Sequence, residues 1–135
     1  MKPFSLHPQL EADTTSVGDL ALCHVLLMND KRFPWLILVP KRDGARDIID
    51  LLPGDQALLM EEINMVCRAL QKHTNCEKLN VAALGNMVPQ LHVHIIARFE
   101  NDAAWPRPVW GVGTAEKYTP AEAAAFKDTL LTLLG

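Results

Sequence analysis

Hydrophobic and polar residues alternate most strictly between Gln90 and Phe99, and this pattern predicts a β-strand. Successive side chains of an extended chain point to opposite faces. One face is apolar and consists of Leu91, Val93, Ile95, Ala97 and Phe99. The other face carries Gln90, His92, His94 and Arg98. Because Gly85 and Asn86 predict a turn just before it, the strand should start soon after them and present two imidazoles side by side.

Shorter apolar runs predict four further strands. A hairpin is expected from residues 14–17 and 20–28, joined by a tight turn at residues 18–19. The continuous apolar run over residues 35–39 indicates a strand that is buried on both faces. Residues 79–84 predict the fourth strand, which leads through the turn into the strand with the two histidines.

Apolar residues at helical spacing predict a long helix from Asp55 to about Thr74, with Pro53 and Gly54 at its start. Its sheet-facing residues should be Leu59, Ile63, Val66 and Leu70. A second apolar line consists of Leu58, Met65 and Ala69. One small sheet would not cover both lines, so the second line indicates either a wide core face or a contact between two copies of the chain.

The chain changes in composition after Glu100. Trp105 and Trp110 lie among prolines, which predicts an ordered excursion without a helix. Their rings need a place to pack, either on the domain itself, which we favour, or in a pocket or a partner subunit. Residues 119–122 form a capping box, so a terminal helix should run from there to about Leu133. We expect one domain over residues 1–135, in which residues 100–135 are a Trp/Pro-rich extension and the terminal helix.

Composition and charge narrow the functional classes. The 135 residues are 49% hydrophobic and 21% charged, as in an ordinary globular domain. The net charge of −3 does not indicate a basic surface of the kind that binds nucleic acid. No apolar run approaches a membrane span and the N-terminus lacks a signal-peptide core, so we expect a cytoplasmic protein without a membrane partner. Cys23 and Cys67 should be small buried hydrophobes, because the three cysteines lack a metal or disulfide spacing.

Three interpretations of the neighbouring histidines compete. The simplest is a solvated strand with two incidental imidazoles, since histidine is often only partly buried. A zinc or iron site would need a third protein ligand, for which His7, His24 and His73 remain available, although Arg98 on the same face would repel a cation. The third interpretation is catalysis, in which one neutral imidazole attacks an electrophile and the other donates a hydrogen bond.

The stretch from Gln90 to Ile96 resembles the histidine triad (HIT) motif, His-φ-His-φ-His-φ-φ with φ apolar, except that Gln90 occupies the first histidine position. The resemblance implies that His92 attacks the α-phosphate of a nucleotide and forms a nucleotidyl-histidine intermediate. It also implies that His94 contacts the phosphate and assists charge development or proton transfer. The first position is more peripheral, where Gln90 could orient or hydrogen-bond. We therefore predict His92, His94 and Gln90 as the catalytic residues.

The resemblance extends upstream to residues 26–41, which are similar to the ribose-binding strand of the family, its turn and the following strand. By that match Asn29, or with less support Asp30, takes the place of the residue that bonds the ribose hydroxyls. Trp35 stands where many members carry an additional histidine that assists at the leaving group. We predict nucleotide-binding contacts from Asn29, Asp30, Trp35 and Asn86, and no metal ligands.

Pattern and resemblance together predict an α+β, HIT-like fold: a five-stranded antiparallel sheet with one long helix and a C-terminal helix. The leading functional hypothesis is a hydrolase or nucleotidyl transferase that acts on a purine nucleotide or nucleotide conjugate and requires no cofactor. A homodimer is expected, since HIT-like proteins commonly dimerise through the long helix. One alternative, favoured by Gln90 and Trp35, is a catalytically weak nucleotide-binding module. The other is a metal-dependent enzyme that uses the His92/His94 pair.

Overall fold

The computed structural model describes residues 3–135. The helices and strands of this part of the chain are α1 (Pro8–Asp13), β1 (Thr14–Asp19), β2 (Cys23–Met28), β3 (Trp35–Pro40), α2 (Pro53–Thr74), β4 (Lys78–Ala82), β5 (Val93–Arg98) and α3 (Pro120–Leu134). The five strands form one antiparallel sheet in the order β1-β2-β3-β5-β4. This confirms the predicted α+β architecture. Within residues 3–135, no helix is both long enough and apolar enough to cross a bilayer.

The sheet separates two hydrophobic cores. The predicted apolar face of β5 belongs to the larger core, in which its valine, isoleucine and alanine pack with buried residues of α2 and with Leu130 of α3. The opposite face contributes Leu26, Ile37 and Ile96 to a second core, which the N-terminal segment covers with Leu10 and the extension covers with Ala104 and Val109. The N-terminal segment and the extension therefore close the face on which both histidines were predicted to lie.

The first hairpin turns later than its sequence pattern predicts. Strand β1 continues to Asp19 with a register shift between Ser16 and Gly18, and the turn lies at residues 20–22. The reason lies on helix α2, where the two carboxylate oxygens of the buried Glu62 accept the backbone N–H groups of Leu22 and Cys23, each at 2.8 Å. The predicted turn at residues 18–19 is wrong because this contact across 40 residues decides where the chain reverses.

Helix α2 follows the prediction closely. It runs from Pro53 to Thr74, and its C-cap is Asn75, which has a left-handed backbone with a φ of 54°. All four predicted sheet-facing residues are buried. Ala69 of the second apolar line is buried too, and it borders a recess together with Met65 and with Leu133 and Leu134 of α3. Helix α3 therefore covers part of the second line, which supports the wide-core interpretation there.

The extension between β5 and α3 is fastened at both ends. Near its start, Asp102 pairs with the buried guanidinium of Arg98 and accepts the backbone N–H groups of Phe99, Ala104 and Trp105. Further on, the β2–β3 turn holds it through a hydrogen bond of 2.6 Å from Nη1 of Arg32 to the carbonyl of Val112. The Trp/Pro-rich segment is thus packed onto the domain. Among the cysteines, Cys23 is fully buried as predicted, and burial followed by the charge of Glu62 raises the pKa of its thiol.

Candidate active site

His92 lies immediately before β5, which begins at Val93, later than the alternating pattern predicts. The chain ahead of it is held away from the sheet ladder, since the backbone N–H of Leu91 bonds to the carbonyl of Ala45 at 2.9 Å. Nδ1 of His92 lies 2.7 Å from the carbonyl oxygen of Gln90. A carbonyl oxygen only accepts, so Nδ1 carries the proton and Nε2 keeps a lone pair. The side chain is 7% exposed. A nucleophilic imidazole needs this tautomer, with the proton on Nδ1 and a free lone pair on Nε2.

His94 has the opposite arrangement. It lies within β5, it is 4% exposed, and its Nδ1 accepts a hydrogen bond of 3.0 Å from the indole nitrogen of Trp35. An indole N–H only donates, so Nδ1 is unprotonated and the neutral ring carries its proton on Nε2. Burial, and secondarily the neighbouring His92, lower the pKa of His94 to about 4. His94 is therefore a neutral donor at pH 7.

The two histidines belong to an aromatic cluster with two tryptophans. The ring centroids of His92 and His94 lie 4.9 Å apart, and those of His94 and Trp110 lie 5.0 Å apart. Trp110 also meets Trp35 edge-on at 5.7 Å. Trp110 comes from the extension, so this segment contributes a ring to the site in addition to packing against the domain. The sequence left a pocket open as one place for this ring, but it did not indicate His94 as the neighbour.

Two cavities lie near the histidine pair. The first, of about 340 Å³, is bordered by His92, Gly85 and Leu91 and by residues 46–49. The second, of about 410 Å³, is bordered by the two tryptophans that contact His94 and by the β2–β3 turn. The involvement of Ile48 and Ile49 was not predicted, because no motif marks this loop. His92 thus borders one of two spaces of the size that small ligands occupy, and the other lies beside the tryptophans that contact His94.

The predicted ribose-binding residues border the second cavity but also serve the fold. Asn29 Oδ1 accepts the backbone N–H of Tyr118 at 2.9 Å. Asp30 is buried, pairs with Arg32 at 2.8 Å, and accepts the backbone N–H of Glu116 at 3.2 Å. Trp35 borders the same cavity, and its N–H is committed to the imidazole of His94. The structure therefore brings three of the four predicted nucleotide-binding residues together.

Gln90 and Asn86 lie apart from this arrangement. The side-chain amide of Gln90 accepts from the backbone N–H of His7 and donates to the carbonyl of Ser5, both at 2.8 Å. It secures the N-terminal segment, and only its backbone carbonyl orients His92. Asn86 is exposed in the loop between β4 and β5, where its neighbour Gly85, with a φ of 75°, borders the first cavity.

The other histidines are occupied elsewhere. His7 caps α1, His24 bonds to Asp19 and Ser16, and His73 meets Phe126 edge-on. Within residues 3–135, no three His, Cys, Asp or Glu side chains are arranged to hold a metal ion. The residues proposed above as third ligands do not gather around the His92/His94 pair.

The lowered pKa of His94 predicts an acid-sensitive fold. Below the ordinary histidine pKa of 6.5 the unfolded ring takes up a proton that the folded ring takes up only near pH 4. Stability is thus fully present above pH 6.5 and is lost as the pH falls, by about 2 kcal/mol between pH 7 and pH 5. Urea denaturation at both pH values should show this loss in the wild type and a much smaller one in His94→Phe. Equal losses in both proteins would contradict the assignment.

Comparisons with known proteins support the fold described above. The model of the HIT domain matches residues 9–101. A histidine triad protein from Bradyrhizobium japonicum is 52% identical, with a TM-score of 0.97 over 99% of this chain and 100% of the other. One from Sinorhizobium meliloti is 49% identical, with a TM-score of 0.94 over 96% of each chain. One from Marinobacter aquaeolei is 46% identical, with a TM-score of 0.95 over 98% and 97%. A search among curated proteins returned no match. With its motif strand, its sheet and its matched domain, the chain belongs to the histidine triad (HIT) family.

Proposed function

We propose that the chain is a nucleotide hydrolase or nucleotidyl transferase that acts at an α-phosphate through a covalent intermediate on His92. The observation that carries this proposal is the complementary protonation of two adjacent imidazoles. His92 keeps a lone pair on Nε2 and His94 keeps a proton on Nε2, because their Nδ1 atoms are held by a carbonyl and by an indole N–H. One ring suits attack on phosphorus, and the other suits donation to an oxygen that gains charge.

In the proposed reaction, Nε2 of His92 bonds to the α-phosphorus and the bond from phosphorus to the leaving group breaks. The proton on Nδ1 stays in place, where the carbonyl of Gln90 stabilises the positive ring. His94 donates to a non-bridging oxygen. Water then attacks phosphorus, the bond to nitrogen breaks, and a nucleoside monophosphate is released; another acceptor in place of water gives transfer. These steps need no metal or cofactor.

The two cavities suggest where the parts of the substrate bind. We assign the nucleoside to the cavity of about 410 Å³, where Trp35 and Trp110 offer aromatic faces for a purine and the amide nitrogen of Asn29 suits a ribose hydroxyl. We assign the leaving group to the cavity beside His92, which Arg46 supplies with a cation. Phosphoryl chemistry depends chiefly on such positioning and on charge.

Trapping of the intermediate tests the proposal. The protein is mixed with dinucleoside polyphosphates, nucleotide sugars and nucleoside phosphoramidates, with and without a metal chelator, and quenched within the first turnover. We expect a nucleotidyl adduct on the peptide that contains His92, insensitive to the chelator, and release of the nucleoside monophosphate. Nucleotide binding without adduct or product would instead support a binding module. Activity that the chelator abolishes would support the metal-dependent alternative.

We also propose that the chain forms a homodimer, through strand β4 and not through the long helix, whose second apolar line is partly covered by α3. Strand β4 is an edge of the sheet, and its Val81 is 47% exposed. Near it, Leu84 and Ile49 border the cavity beside His92 and leave large apolar surfaces open to solvent. Exposed apolar residues on an edge strand favour pairing with another chain. Sedimentation equilibrium should give about twice the chain mass of 15.0 kDa. Val81→Lys should shift the protein towards the monomer, and a monomeric wild type would refute the proposal.

A further inference from the structure

The hydrogen bond from Trp35 to His94 is a feature that the proposed reaction leaves unexplained. Trp35 is buried on β3, and its indole nitrogen lies 3.0 Å from Nδ1 of His94 on the adjacent strand β5. A phenylalanine would pack an aromatic ring at the same place without this bond. A buried indole N–H needs an acceptor, and here the acceptor is a side chain of the reaction centre.

This bond determines which protonation states of His94 are accessible. A protonated imidazole has N–H groups on both nitrogens, so its Nδ1–H would point directly at the N–H of Trp35. Two donors cannot bond to each other, and both groups are buried away from water. Protonation of His94 therefore requires the loss of the indole bond without a replacement.

The surroundings of His94 offer no compensation for a positive charge. Its cross-strand neighbours are Ile37 on β3 and Ala82 on β4. Its aromatic neighbours are the two tryptophans, which are neutral, and His92, which lowers the pKa of His94 further after burial has done so. His92 is the ionisable group that acts on His94, and no carboxylate faces it among residues 3–135.

We infer that Trp35 is a positioning residue that keeps His94 as a neutral Nε2–H donor, so that the leaving group departs without a proton from His94. The inference rests on the proposed function and narrows its substrate class. Suitable substrates carry a leaving group that is stable as an anion, namely an acidic oxygen as in a phosphoanhydride. Nucleotides linked to a basic amine are poor substrates.

The bonds and protons of the first step explain why the leaving group must be stable as an anion. The lone pair of His92 Nε2 forms the N–P bond, the P–O bond breaks, and its electron pair leaves with the oxygen as an oxyanion. No proton moves in this step. In the second step, water forms the new P–O bond, one of its protons passes to solvent, and the N–P electron pair returns to Nε2. An amine could not leave in this way, because it would depart as an amide anion.

Turnover of graded substrates tests the leaving-group part of the inference. Adenosine 5′-phosphate esters of phenols, from nitrophenol to unsubstituted phenol, vary the basicity of the leaving oxygen, and an adenosine phosphoramidate of a simple amine serves as the basic extreme. Without acid catalysis, worth on the order of 100-fold, the wild-type rate should fall steeply with basicity. Trp35→Phe removes the N–H and keeps a ring, so it should give a shallower dependence and a new pH limb from His94. Trp105→Phe, whose ring lies over Arg98 and not against His94, should keep the wild-type slope.

Nitrogen-15 NMR of the imidazoles tests the positioning part without any substrate. In the wild type, His94 should show an unprotonated Nδ1 and a protonated Nε2 from pH 8 down to pH 5. In Trp35→Phe it should titrate at a higher pH than in the wild type, in a spectrum that is otherwise that of the folded protein. A protonated Nδ1 in the wild type, or identical titrations in both proteins, would overturn the inference. A shallow wild-type slope that Trp35→Phe does not change would overturn its substrate part. If no nucleotide is turned over, the proposed function fails, while the NMR result still decides the role of Trp35.

Discussion

His92→Ala should reduce turnover of a nucleotide substrate by at least about 10³-fold, because it removes the nitrogen that forms the bond to phosphorus. Loss of a nucleophile lowers kcat, whereas the cavity that receives the nucleoside remains, so KM should change much less. The two constants, measured on the same substrate, distinguish a chemical defect from a binding defect. The adduct on the histidine peptide should disappear in the same variant.

His24→Ala is the matched control for this experiment. His24 also lies on the sheet, but its ring bonds to Asp19 and Ser16 in the first hairpin and borders neither cavity. Its removal should leave kcat within a few-fold of the wild type. Full turnover by His92→Ala would show that another group attacks phosphorus, whatever the control shows.

Arg98→Met should lower the free energy of unfolding by about 3–5 kcal/mol, because it leaves a buried carboxylate without its partner. The guanidinium is 2% exposed. It donates to both oxygens of Asp102 at 2.8 and 3.2 Å, to Asn80 at 2.8 Å, and to the carbonyl of Arg107 at 2.7 Å. Although burial raises it, the pKa of Asp102 is held well below its usual range by Arg98 and by three backbone N–H groups. The fold thus depends on a charged Asp102.

Arg42→Met provides the comparison for this loss. Arg42 makes an equally close pair with Asp55, at 2.7 Å, but it lies at the surface. An exposed pair contributes at most about 1 kcal/mol, so this variant should remain near the wild type in urea denaturation. The double variant Arg98→Met/Asp102→Leu should recover part of the loss, since it removes the orphaned charge as well. Equal effects of the two single arginine variants would show that burial does not strengthen the Arg98 pair.

Much of the fold could be predicted because its signals are local. Alternation predicts β5, although it starts the strand too early and only His94 of the two histidines lies within it, and helical spacing predicts α2 together with the four residues that it buries. The turn of the first hairpin could not be predicted in the same way, since its position depends on Glu62, 40 residues away. A run such as Leu20-Ala21-Leu22 favours a strand by composition, and only the folded helix supplies the carboxylate that overrides it.

The same contrast between local signals and contacts that are distant in sequence applies to the site. The two histidines and the residues of the β2–β3 turn could be singled out from the sequence, and the structure places the turn beside the second cavity. Their partners could not, because Trp35 and His94 are 59 residues apart and Asn29 and Tyr118 are 89 residues apart. Gln90 shows the limit most clearly: its place in the motif suggests a side chain at the reaction centre, yet its amide holds the N-terminal segment.

The carboxylate of Glu62 also has a consequence for how the molecule opens. Its two bonds join the amide protons of Leu22, at the end of the turn, and Cys23, at the start of β2, to helix α2. Amides in turns usually exchange with solvent by local fraying, whereas these two should exchange only when the helix separates from the sheet. Deuterium uptake at this one turn therefore measures the opening of the larger core, at positions where a surface loop would be expected to exchange first.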